Sequence, residues 1–319
     1  MPGLRPPAPR RTRGARIVVV GDLMLDVVLT PAQPLETGTD VPGRVSLVAG
    51  GSAANTARWA GRLGARSSLI CAVGRDAVGR TLVEAARADH VTVRATRVSG
   101  VATGRIGVLV GAGGERSFVA DRGAADRLSA ADLKPAWFEG ADALHVPAYS
   151  LLGEPLGSAG RRAIELARAR GALLSVDLAS MGPLLASGRR AARALIQGIE
   201  ADLLFATAAE AQALLGRDAV ERLLDFATMA VVKRGAKGAT VLAREPDGSL
   251  LRFEVATTPV HATDTTGAGD AFDAGFLVGW FAAQSAGRSQ AVSLQRATLL
   301  GHRAAARQLT TPRPELALG

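Results

Sequence analysis

Residues 264–280 read Asp-Thr-Thr-Gly-Ala-Gly-Asp-Ala-Phe-Asp-Ala-Gly-Phe-Leu-Val-Gly-Trp, a glycine-rich turn that runs directly into an apolar helix. Gly267 and Gly269 leave room for a ligand against the main chain. The N–H groups of residues 267–270 form the first turn of the helix and have no partner within it. The helix dipole adds a partial positive charge at the same place. This stretch therefore predicts an anion hole for a phosphate group.

Asp270 closes this turn, and a carboxylate at this position has two interpretations. At the start of a helix it is often only a cap for the first N–H groups. Beside an anion hole it can instead take the proton from an attacking hydroxyl, and phosphoryl transfer needs these two parts together. Both interpretations remain open on this motif alone.

The composition limits the class of protein. The chain has 319 residues, of which 48% are hydrophobic, and this suits one large α/β domain or two smaller ones. Its single cysteine, Cys71, excludes an internal disulfide and a cysteine metal cluster, and it favours a reducing cytoplasm. The uncharged run 274–287 is shorter than the roughly 20 apolar residues that span a bilayer. We therefore expect no membrane segment.

The charge pattern argues against nucleic acid as the partner. The formal net charge is +9, but the arginines are scattered among alanines and glycines, and aromatic residues make up only 4%. Such a chain offers no basic stripe with interleaved aromatics, so we expect a basic surface that attracts phosphorylated ligands. Residues 1–15 carry four arginines and four prolines but no acid. They predict a disordered basic tail before one folded domain over residues 16–319.

Two aspartates follow the first predicted strand. Residues 16–22, Arg-Ile-Val-Val-Val-Gly-Asp, form a β-branched run that ends at glycine and indicates a buried parallel strand. No Gly-x-Gly-x-x-Gly follows, which weighs against a dinucleotide site. Asp22 and Asp26 lie just past the carboxyl end of this strand, where open α/β sheets place their ligands. They either bind the hydroxyls of a polyol or cap a turn.

A second glycine-rich motif occupies residues 49–64, Ala-Gly-Gly-Ser-Ala-Ala-Asn-Thr-Ala-Arg-Trp-Ala-Gly-Arg-Leu-Gly. Ser52 is a suitable helix start. Gly50 and Gly51 just before it let a small ligand approach the backbone. Asn55 falls in the first turn, where its amide can reach a hydroxyl of that ligand. Taken alone, such a motif is more often a tight helix entry than a binding site.

The middle of the chain departs from the strand–helix alternation on either side of it. Residues 103–110 and 116–120 flank Gly111-Ala-Gly-Gly114, which predicts a β-hairpin with a glycine turn. We expect segments 27–48 and 92–121 to form a small antiparallel lid that covers the ligand cleft and excludes water. Elsewhere strands alternate with helices, which predicts a mostly parallel sheet covered on both faces.

The two glycine motifs together carry a resemblance to a known family. Gly50-Gly-Ser-Ala-Ala-Asn55 and Asp264-Thr-Thr-Gly-Ala-Gly-Asp270 resemble the two signature motifs of the ribokinase-like (PfkB) carbohydrate kinases, in that family's order and separation. The resemblance covers nearly the whole chain from Arg16. It implies a three-layer α/β/α ribokinase-like fold with a mostly parallel central sheet and a small antiparallel β lid. It also implies transfer of the γ-phosphoryl group of ATP to a hydroxyl of a sugar or sugar-like substrate.

The resemblance also assigns roles to individual residues. Asp270 becomes the general base, and the backbone of Gly267, Ala268, Gly269 and Asp270 becomes the anion hole. The remaining roles are sugar binding by Asp26, Gly50, Gly51 and Asn55, nucleotide binding by Lys233, Gly235, Gly238 and Thr265, Mg²⁺ binding through water by Glu210, and a potassium-type monovalent cation site that includes Asp264 and Thr266.

Two departures from the family pattern bear on these roles. The family usually has Asn-x-x-Glu where this chain reads Thr207-Ala-Ala-Glu210. The shorter hydroxyl of Thr207 replaces an amide there and changes how metal and phosphate would be held. Residues 304–310 resemble the second half of the family's monovalent-cation site poorly.

Several alternatives stay open. The same fold serves nucleoside kinases, and a non-catalytic ligand-binding protein with a relic kinase site is a further reading that the intact Asp270 disfavours. Asp177, past another predicted strand end, either contacts the substrate or the metal or caps a turn. Arg122 either meets a substrate anion or closes a salt bridge in the lid. The lid also offers a face for a homodimer, as lids of this family often do.

Overall fold

The computed structural model describes residues 14–111, 115–245, 247–262 and 264–317. Most of the predicted tail, residues 1–13, and positions 112–114 of the predicted glycine turn lie outside the described residues. Gly14 and Ala15 are described, and both contact Arg66. The backbone N–H of Arg66 donates to the carbonyl of Ala15 at 2.9 Å, and its Nε donates to the carbonyl of Gly14 at 3.1 Å. Gly14 and Ala15, which the sequence predicts to end the tail, therefore contact the folded domain.

Strands and helices follow one another in the predicted alternation. In chain order the strands are β1 (Arg16–Val20), β2 (Met24–Pro31), β3 (Gly43–Gly50), β4 (Arg66–Gly74), β5 (Val91–Val98), β6 (Arg105–Val110), β7 (Arg116–Asp121), β8 (Ala143–Pro147), β9 (Leu173–Asp177), β10 (Ala201–Thr207), β11 (Ala227–Lys233), β12 (Ala239–Arg244) and β13 (Leu250–Val255). The α-helices are α1 (Ser52–Arg62), α2 (Ala77–Ala88), α3 (Leu156–Arg168), α4 (Met181–Leu185), α5 (Arg189–Ile199), α6 (Ala208–Leu215), α7 (Ala268–Ser285) and α8 (Gln290–Thr310). Among the helices described, none is long and apolar enough to cross a membrane.

The large sheet has the strand order β13-β12-β11-β10-β9-β8-β1-β4-β5. Its strands from β11 to β5 pair in parallel, while β12 and β13 are antiparallel. In β1, Val18 and Val20 face one core and Ile17 and Val19 face the other, because successive side chains point to opposite faces. Helices α3, α5 and α6 cover the first core, and α1, α2, α7 and α8 cover the second. The predicted three-layer α/β/α fold class is confirmed.

The lid is a second sheet with the strand order β3-β2-β6-β7. Its outer pairs are antiparallel, but β2 and β6 pair in parallel, so the lid is mixed rather than antiparallel as predicted. The chain runs from β2 into its antiparallel neighbour β3, then passes through α1, β4, α2 and β5 before it returns to the lid at β6, so β2 and β6 are joined by a crossover rather than a hairpin. Residues 92–98, expected in the lid, belong instead to β5 of the large sheet.

Helix α7, which the first glycine motif predicts, is held from two sides. A Cβ on Gly275 would lie 2.7 Å from the carbonyl oxygen of Leu300, so glycine is what lets α8 pack this closely. On the opposite side the ring of Phe205 in β10 meets Phe272 and Phe276 edge-on, with centroids 6.2 Å and 5.2 Å apart. These contacts fix the N-terminus of α7 at the carboxyl end of the parallel strands.

The chain after α8 returns to the lid. The backbone N–H of Leu316 donates to the carbonyl of Leu47 at 2.7 Å, and Glu315 pairs with Val48 as an antiparallel bridge. This return carries the side chain of Arg313 between the lid strand β2 and the loop before α7.

Candidate functional site

The lid and the carboxyl ends of the large sheet enclose a cavity of about 780 Å³. Ile106 and Phe118 of the lid form one wall, and Asp177 and Thr207 at strand ends form another. The predicted site residues that line the cavity are Asp26, Gly51, Asn55, Glu210, Lys233, Thr265, Thr266, Gly267, Gly269 and Asp270. The two glycine motifs, distant in sequence, therefore meet at one cavity.

Asp270 stands in the first turn of α7, and both of its carboxylate oxygens receive hydrogen bonds from α1. Ser52 Oγ donates to Oδ1 at 2.6 Å and Asn55 Nδ2 donates to Oδ2 at 2.9 Å. Burial raises the pKa of Asp270 to about 7 although these two hydrogen bonds oppose the shift. The N-cap residue of α7 is Gly267, with φ of 77°, and not Asp270. Asp270 is therefore not the N-cap of α7, and its role as a proton acceptor stays a prediction.

The backbone around Gly267 differs in one detail from the predicted anion hole of four N–H groups. The N–H of Ala268 donates to the carbonyl of Thr265 at 3.3 Å, because the turn tightens before the helix begins. The N–H groups of Gly267, Gly269 and Asp270 remain as the donors of the candidate anion hole. Ala268 is also absent from the residues that line the cavity within the described chain.

The glycines of the other motif are required by close contacts. A Cβ on Gly50 would lie 2.0 Å from Oδ1 of Asp26, and one on Gly51, with φ of 95°, would lie 2.7 Å from the carbonyl oxygen of Asp22. Asp26 is 3% exposed, and burial raises its pKa despite an ion pair with Arg313. Gly50 therefore serves the packing of Asp26, while Gly51 lines the cavity itself.

Asp22 has a supporting role in the structure. Its Oδ1 accepts from the N–H of Ala53 at 3.1 Å and from the hydroxyl of Tyr149 at 2.6 Å, so it fixes the start of α1. The guanidinium of Arg122 lies over the ring of Tyr149, 4.6 Å from its centroid, and donates to Asp126 at 2.6 Å. The salt-bridge partner that the sequence left open for Arg122 is thus present, and Arg122 also lines the cavity. Tyr149 was missed in the sequence, where nothing marks a lone tyrosine as a cavity residue.

Lys233 ends β11 and its ammonium group is buried among carboxylates. Its Nζ lies 3.2 Å from Asp177 Oδ2 and 3.1 Å from Asp273 Oδ1. Burial lowers its pKa, but the charges of Asp177, Asp273 and Glu210 outweigh burial and raise it overall. Burial, followed by the charge of Asp177, raises the pKa of Asp273. The lysine therefore stays charged between two carboxyl groups, of which the more buried, Asp273, is pushed toward protonation.

Asp273 supports the site through its contact with Lys233, and sequence reasoning missed it. It is 0% exposed and lies one turn after Asp270 on α7. The signal was present, because a carboxylate inside an otherwise apolar helix demands a partner. The partner could not be named from the sequence, since Lys233 lies 40 positions away.

Glu210 and Thr207 form a capping box at the start of α6. The N–H of Thr207 donates to Glu210 Oε2 at 2.7 Å, and the N–H of Glu210 donates to Thr207 Oγ1 at 3.2 Å. Burial, and then the charge of Asp177, raises the pKa of Glu210. Among the described residues, the buried Oδ1 of Asp177 has no hydrogen-bond partner. Threonine at position 207 thus gives the helix a cap and leaves Glu210 and Asp177 facing the cavity.

Thr266 lines the cavity, and Asp264, two residues before it, contacts two arginines. Arg116 of β7 donates to Asp264 Oδ1 at 2.8 Å, and Arg313 donates to Asp264 Oδ2 at 3.0 Å. The hydroxyls of Thr265 and Thr266 also accept hydrogen bonds from Arg116. Neither arginine carries a local sequence signal, and both were missed.

Gly235 and Gly238 lie in the turn after β11. Both have positive φ, 56° and 84°, and a Cβ on Gly238 would lie 2.1 Å from the carbonyl oxygen of Val255. The turn is closed by the N–H of Arg234, which donates to the carbonyl of Gly238 at 2.8 Å. Among the described residues, Lys233 at the end of β11 lines the cavity, but Gly235 and Gly238 do not.

Comparisons with known proteins agree with this architecture. Residues 15–315 match the pfkB family of carbohydrate kinases. Fructokinase-1 from Zea mays is 33% identical over 267 residues, which cover 80% of this chain and 80% of that protein. Adenosine kinase from Sinorhizobium meliloti has a TM-score of 0.79 and 25% identity, covering 96% of this chain and 98% of its own. Fructokinase from Vibrio cholerae O395, solved with fructose, ADP and a calcium ion, has a TM-score of 0.76 and 24% identity over 94% of each chain.

Proposed function

Because the chain belongs to the pfkB family of carbohydrate kinases, and is thus a phosphotransferase acting on a sugar hydroxyl, we propose that it transfers the γ-phosphoryl group of ATP with Asp270 as general base. One observation carries the proposal. Asp270, its pKa raised to about 7 by burial, lies in the turn of α7 that presents the N–H groups of Gly267 and Gly269. A base with a pKa near the working pH transfers protons most effectively.

The residues divide the work of the reaction. Ser52 and Asn55 hold the Asp270 carboxylate in place, and the carboxylate accepts the proton of the attacking hydroxyl. The N–H groups of Gly267 and Gly269, with the dipole of α7, stabilise the charge on the phosphoryl group in transfer. Hydroxyl oxygen and phosphorus form the new bond as the bond to the ADP oxygen breaks. The lid excludes water, which would otherwise accept the phosphoryl group.

Asp177 and Glu210 are the residues that fit a magnesium ion. Asp177 keeps one buried carboxylate oxygen without a hydrogen-bond partner in the part of the chain that is described, and Glu210 lines the same cavity. Oxygen ligands of this kind suit Mg²⁺, which usually keeps several of its waters. When bound, Mg²⁺ neutralises phosphate charge. Lys233 adds a fixed positive charge nearby, since a Cβ on Gly269 would lie 3.4 Å from its Nζ.

The two ends of the cavity suit the two substrates. Asp26, Gly51 and Asn55 lie at the lid end and supply the oxygen and amide groups that bind sugar hydroxyls. Lys233 ends β11 and lines the cavity, and we propose that it binds the nucleotide together with Thr265, Gly235 and Gly238. The solved V. cholerae fructokinase holds ADP, fructose and a calcium ion, which supports a nucleotide and a metal ion here.

A nucleoside is the second candidate for the acceptor. The likeness to adenosine kinase from S. meliloti over 96% of this chain favours it, and a cavity of about 780 Å³ has room for a nucleoside. A non-catalytic relic is disfavoured by the complete set of Asp270, Ser52 and Asn55 contacts. The reducing cytoplasm that we propose as the compartment accords with Cys71, which is a buried free thiol.

The test is acceptor-dependent formation of ADP from ATP and Mg²⁺. Purified protein is assayed with fructose, ribose and adenosine in turn, and the phosphorylated product is identified by mass spectrometry. We expect turnover with a sugar and a rise in melting temperature when that sugar and nucleotide are added. Turnover only with adenosine would select the nucleoside kinase. Binding without turnover on any acceptor would identify the relic and reject the proposed reaction.

A further inference from the structure

The carboxylate of Asp264 is enclosed by two guanidinium groups. Arg116 Nη1 lies 2.8 Å from its Oδ1, and Arg313 Nε lies 3.0 Å from its Oδ2. Both arginine side chains are only 9% and 11% exposed, respectively. Arg116 comes from the lid and Arg313 from the C-terminal segment, so the fold brings both charges to the loop just before the anion hole.

Other oxygen atoms among the described residues of this loop also accept hydrogen bonds from N–H donors. The N–H of Thr266 donates to Asp264 Oδ1 at 2.8 Å, and Gln308 Nε2 donates to the carbonyl of Thr266 at 2.8 Å. The Thr266 hydroxyl accepts from Arg116, as does that of Thr265. Carboxylate, carbonyl and hydroxyl oxygens are the ligands that an alkali cation would need, and here both oxygens of the Asp264 carboxylate, the carbonyl of Thr266 and the hydroxyls of Thr265 and Thr266 already accept hydrogen bonds.

A potassium ion does not fit this set of groups. It would have to displace the N–H donors from several oxygens at once and enter beside two cations. Arginine keeps its charge at any working pH, and a planar guanidinium satisfies two acceptors of such a loop at once. The predicted cation site at Asp264 and Thr266 is therefore disfavoured by the hydrogen-bond donors and positive charges around its oxygens, and not by the sequence spacing of the two residues.

We propose that the guanidinium groups of Arg116 and Arg313 take the place of a monovalent cation beside the anion hole, so that phosphoryl transfer by this chain runs without potassium. The inference rests on the proposed function. Both arginines act as positioning residues, because they hold the loop that ends in Gly267 and do not reach the transferred group. Arg313 also joins this loop to the sugar side, since its Nη1 lies 2.7 Å from Asp26 Oδ2.

The first experiment measures wild-type turnover in tetramethylammonium chloride and in potassium chloride at equal ionic strength. We expect the two rates to agree within about twofold, because the described oxygens at Asp264 and Thr266 already accept hydrogen bonds from the two arginines. An increase of about tenfold or more in potassium would overturn the inference. Absence of turnover with every acceptor in both salts would instead reject the proposed function.

The second experiment uses Arg313→Gln, which removes one guanidinium and uncovers Asp264 Oδ2. We expect its turnover to fall about tenfold or more in tetramethylammonium and to recover in potassium, whereas Arg313→Lys, which keeps a cation beside Asp264 but cannot bridge Asp264 and Asp26 as the guanidinium does, should show no response to potassium. Arg303→Gln, at an exposed position of α8, is the matched control and should show no response to potassium. A loss in Arg313→Gln that potassium leaves unchanged would show that the guanidinium does not stand in for the ion.

A stability readout decides the inference even if no acceptor is found. Melting temperatures of the wild type and of Arg313→Gln are compared in the same two salts. We expect potassium to raise the melting temperature of the variant only, because a new ion site stabilises the folded state that contains it. A potassium-specific rise in the wild type, or none in the variant, would contradict the replacement.

Discussion

Asn55 Nδ2 donates to Asp270 Oδ2 at 2.9 Å, a contact between residues that are 215 positions apart. With the hydrogen bond from Ser52, it means that the carboxylate of one glycine motif is oriented by the helix of the other. The two motifs are therefore parts of one site. Side chains of α1 orient the carboxylate of the proposed base, and the N-terminus of α7 supplies the partial positive charge for the phosphoryl group. Predictions about Asp270 test both motifs together.

Asp270→Asn is expected to lower turnover by about 10² to 10⁴, the range of a lost general base, with little change in substrate affinity. The variant should fold well, because the asparagine oxygen can accept from Asn55 while its amide donates to the hydroxyl of Ser52. Steady-state kinetics of the variant measure turnover and substrate affinity, and thermal denaturation of the same preparation shows whether it is folded. Asp225→Asn, on a surface ion pair with Arg222, is the control. Near-normal turnover in a folded Asp270→Asn protein would falsify the base assignment.

The pKa of Asp270 predicts how activity depends on pH. The base works only when deprotonated, so kcat/KM should rise with pH through a limb near 7, where burial places this pKa. Asp270→Asn should lack that limb in its residual activity. A wild-type profile that is flat between pH 6 and 8 would exclude Asp270 as the titrating base; such a range brackets the pKa by about one unit on each side.

The same pKa makes a prediction about stability. A carboxyl whose pKa is raised on folding, from 3.8 to about 7, stabilises the folded state fully below the unfolded value and loses this contribution as pH rises to 7. The free energy of unfolding of the wild type should therefore fall relative to Asp270→Asn between about pH 4 and pH 7. Urea denaturation at several pH values measures the difference. A constant difference across this range would show that folding leaves the Asp270 pKa unshifted.

The parts of the site that could be predicted from the sequence are those with local signals. Glycines before a helix and an aspartate in its first turn mark the two motifs, because backbone conformation and cap chemistry act within a few residues. Arg313 contacts Asp26, which lies 287 positions earlier in the chain. Nothing in the sequence distinguishes Arg313, among the 38 lysines and arginines, as the partner of Asp26. The mixed lid was missed for the same reason, since a crossover and a hairpin look alike in strand patterns. Long-range packing decides both.

The buried lysine predicts a large effect on stability. Lys233→Met leaves Asp177 and Asp273 without their shared cation, and an uncompensated buried charge typically costs about 3–5 kcal/mol. We expect that loss in the free energy of unfolding by urea. Lys237→Met, which alters an exposed lysine four residues on, should stay within about 0.5 kcal/mol of wild type.

A double variant separates charge from packing at this cluster. Lys233→Met combined with Asp273→Asn should be more stable than Lys233→Met alone, because the second change removes the orphaned carboxylate. If the losses in the free energy of unfolding of Lys233→Met and Asp273→Asn simply add in the double variant, the ion pair contributes no stability. The loss in Lys233→Met then reflects packing.

The outer face of the lid predicts association of two chains. Val45 and Val119 are 60% and 78% exposed, and Val119 faces away from the cavity that its neighbour Phe118 lines. We propose a homodimer through this face and expect light scattering to give the mass of two chains. Val45→Lys with Val119→Lys should give one chain, whereas Leu250→Lys, at an exposed position of β13, should not change the mass. A wild type that stays monomeric at all concentrations would refute the lid dimer.

Glu210→Gln separates metal binding from helix capping, because glutamine preserves one role and abolishes the other. Its amide oxygen can still accept from the N–H of Thr207, as glutamine does in capping boxes, so the melting temperature should stay close to that of the wild type. The carboxylate charge next to Asp177 is lost, so we expect the Mg²⁺ concentration needed for half-maximal turnover to rise, by about 10- to 100-fold if Glu210 orients the ion's waters. Mg²⁺ titrations of turnover at saturating ATP measure the shift, with Glu84→Gln, exposed on α2, as the control. If the Mg²⁺ requirement of a folded Glu210→Gln protein is unchanged, Glu210 only caps α6. Asp177 would then be the remaining candidate for Mg²⁺ binding.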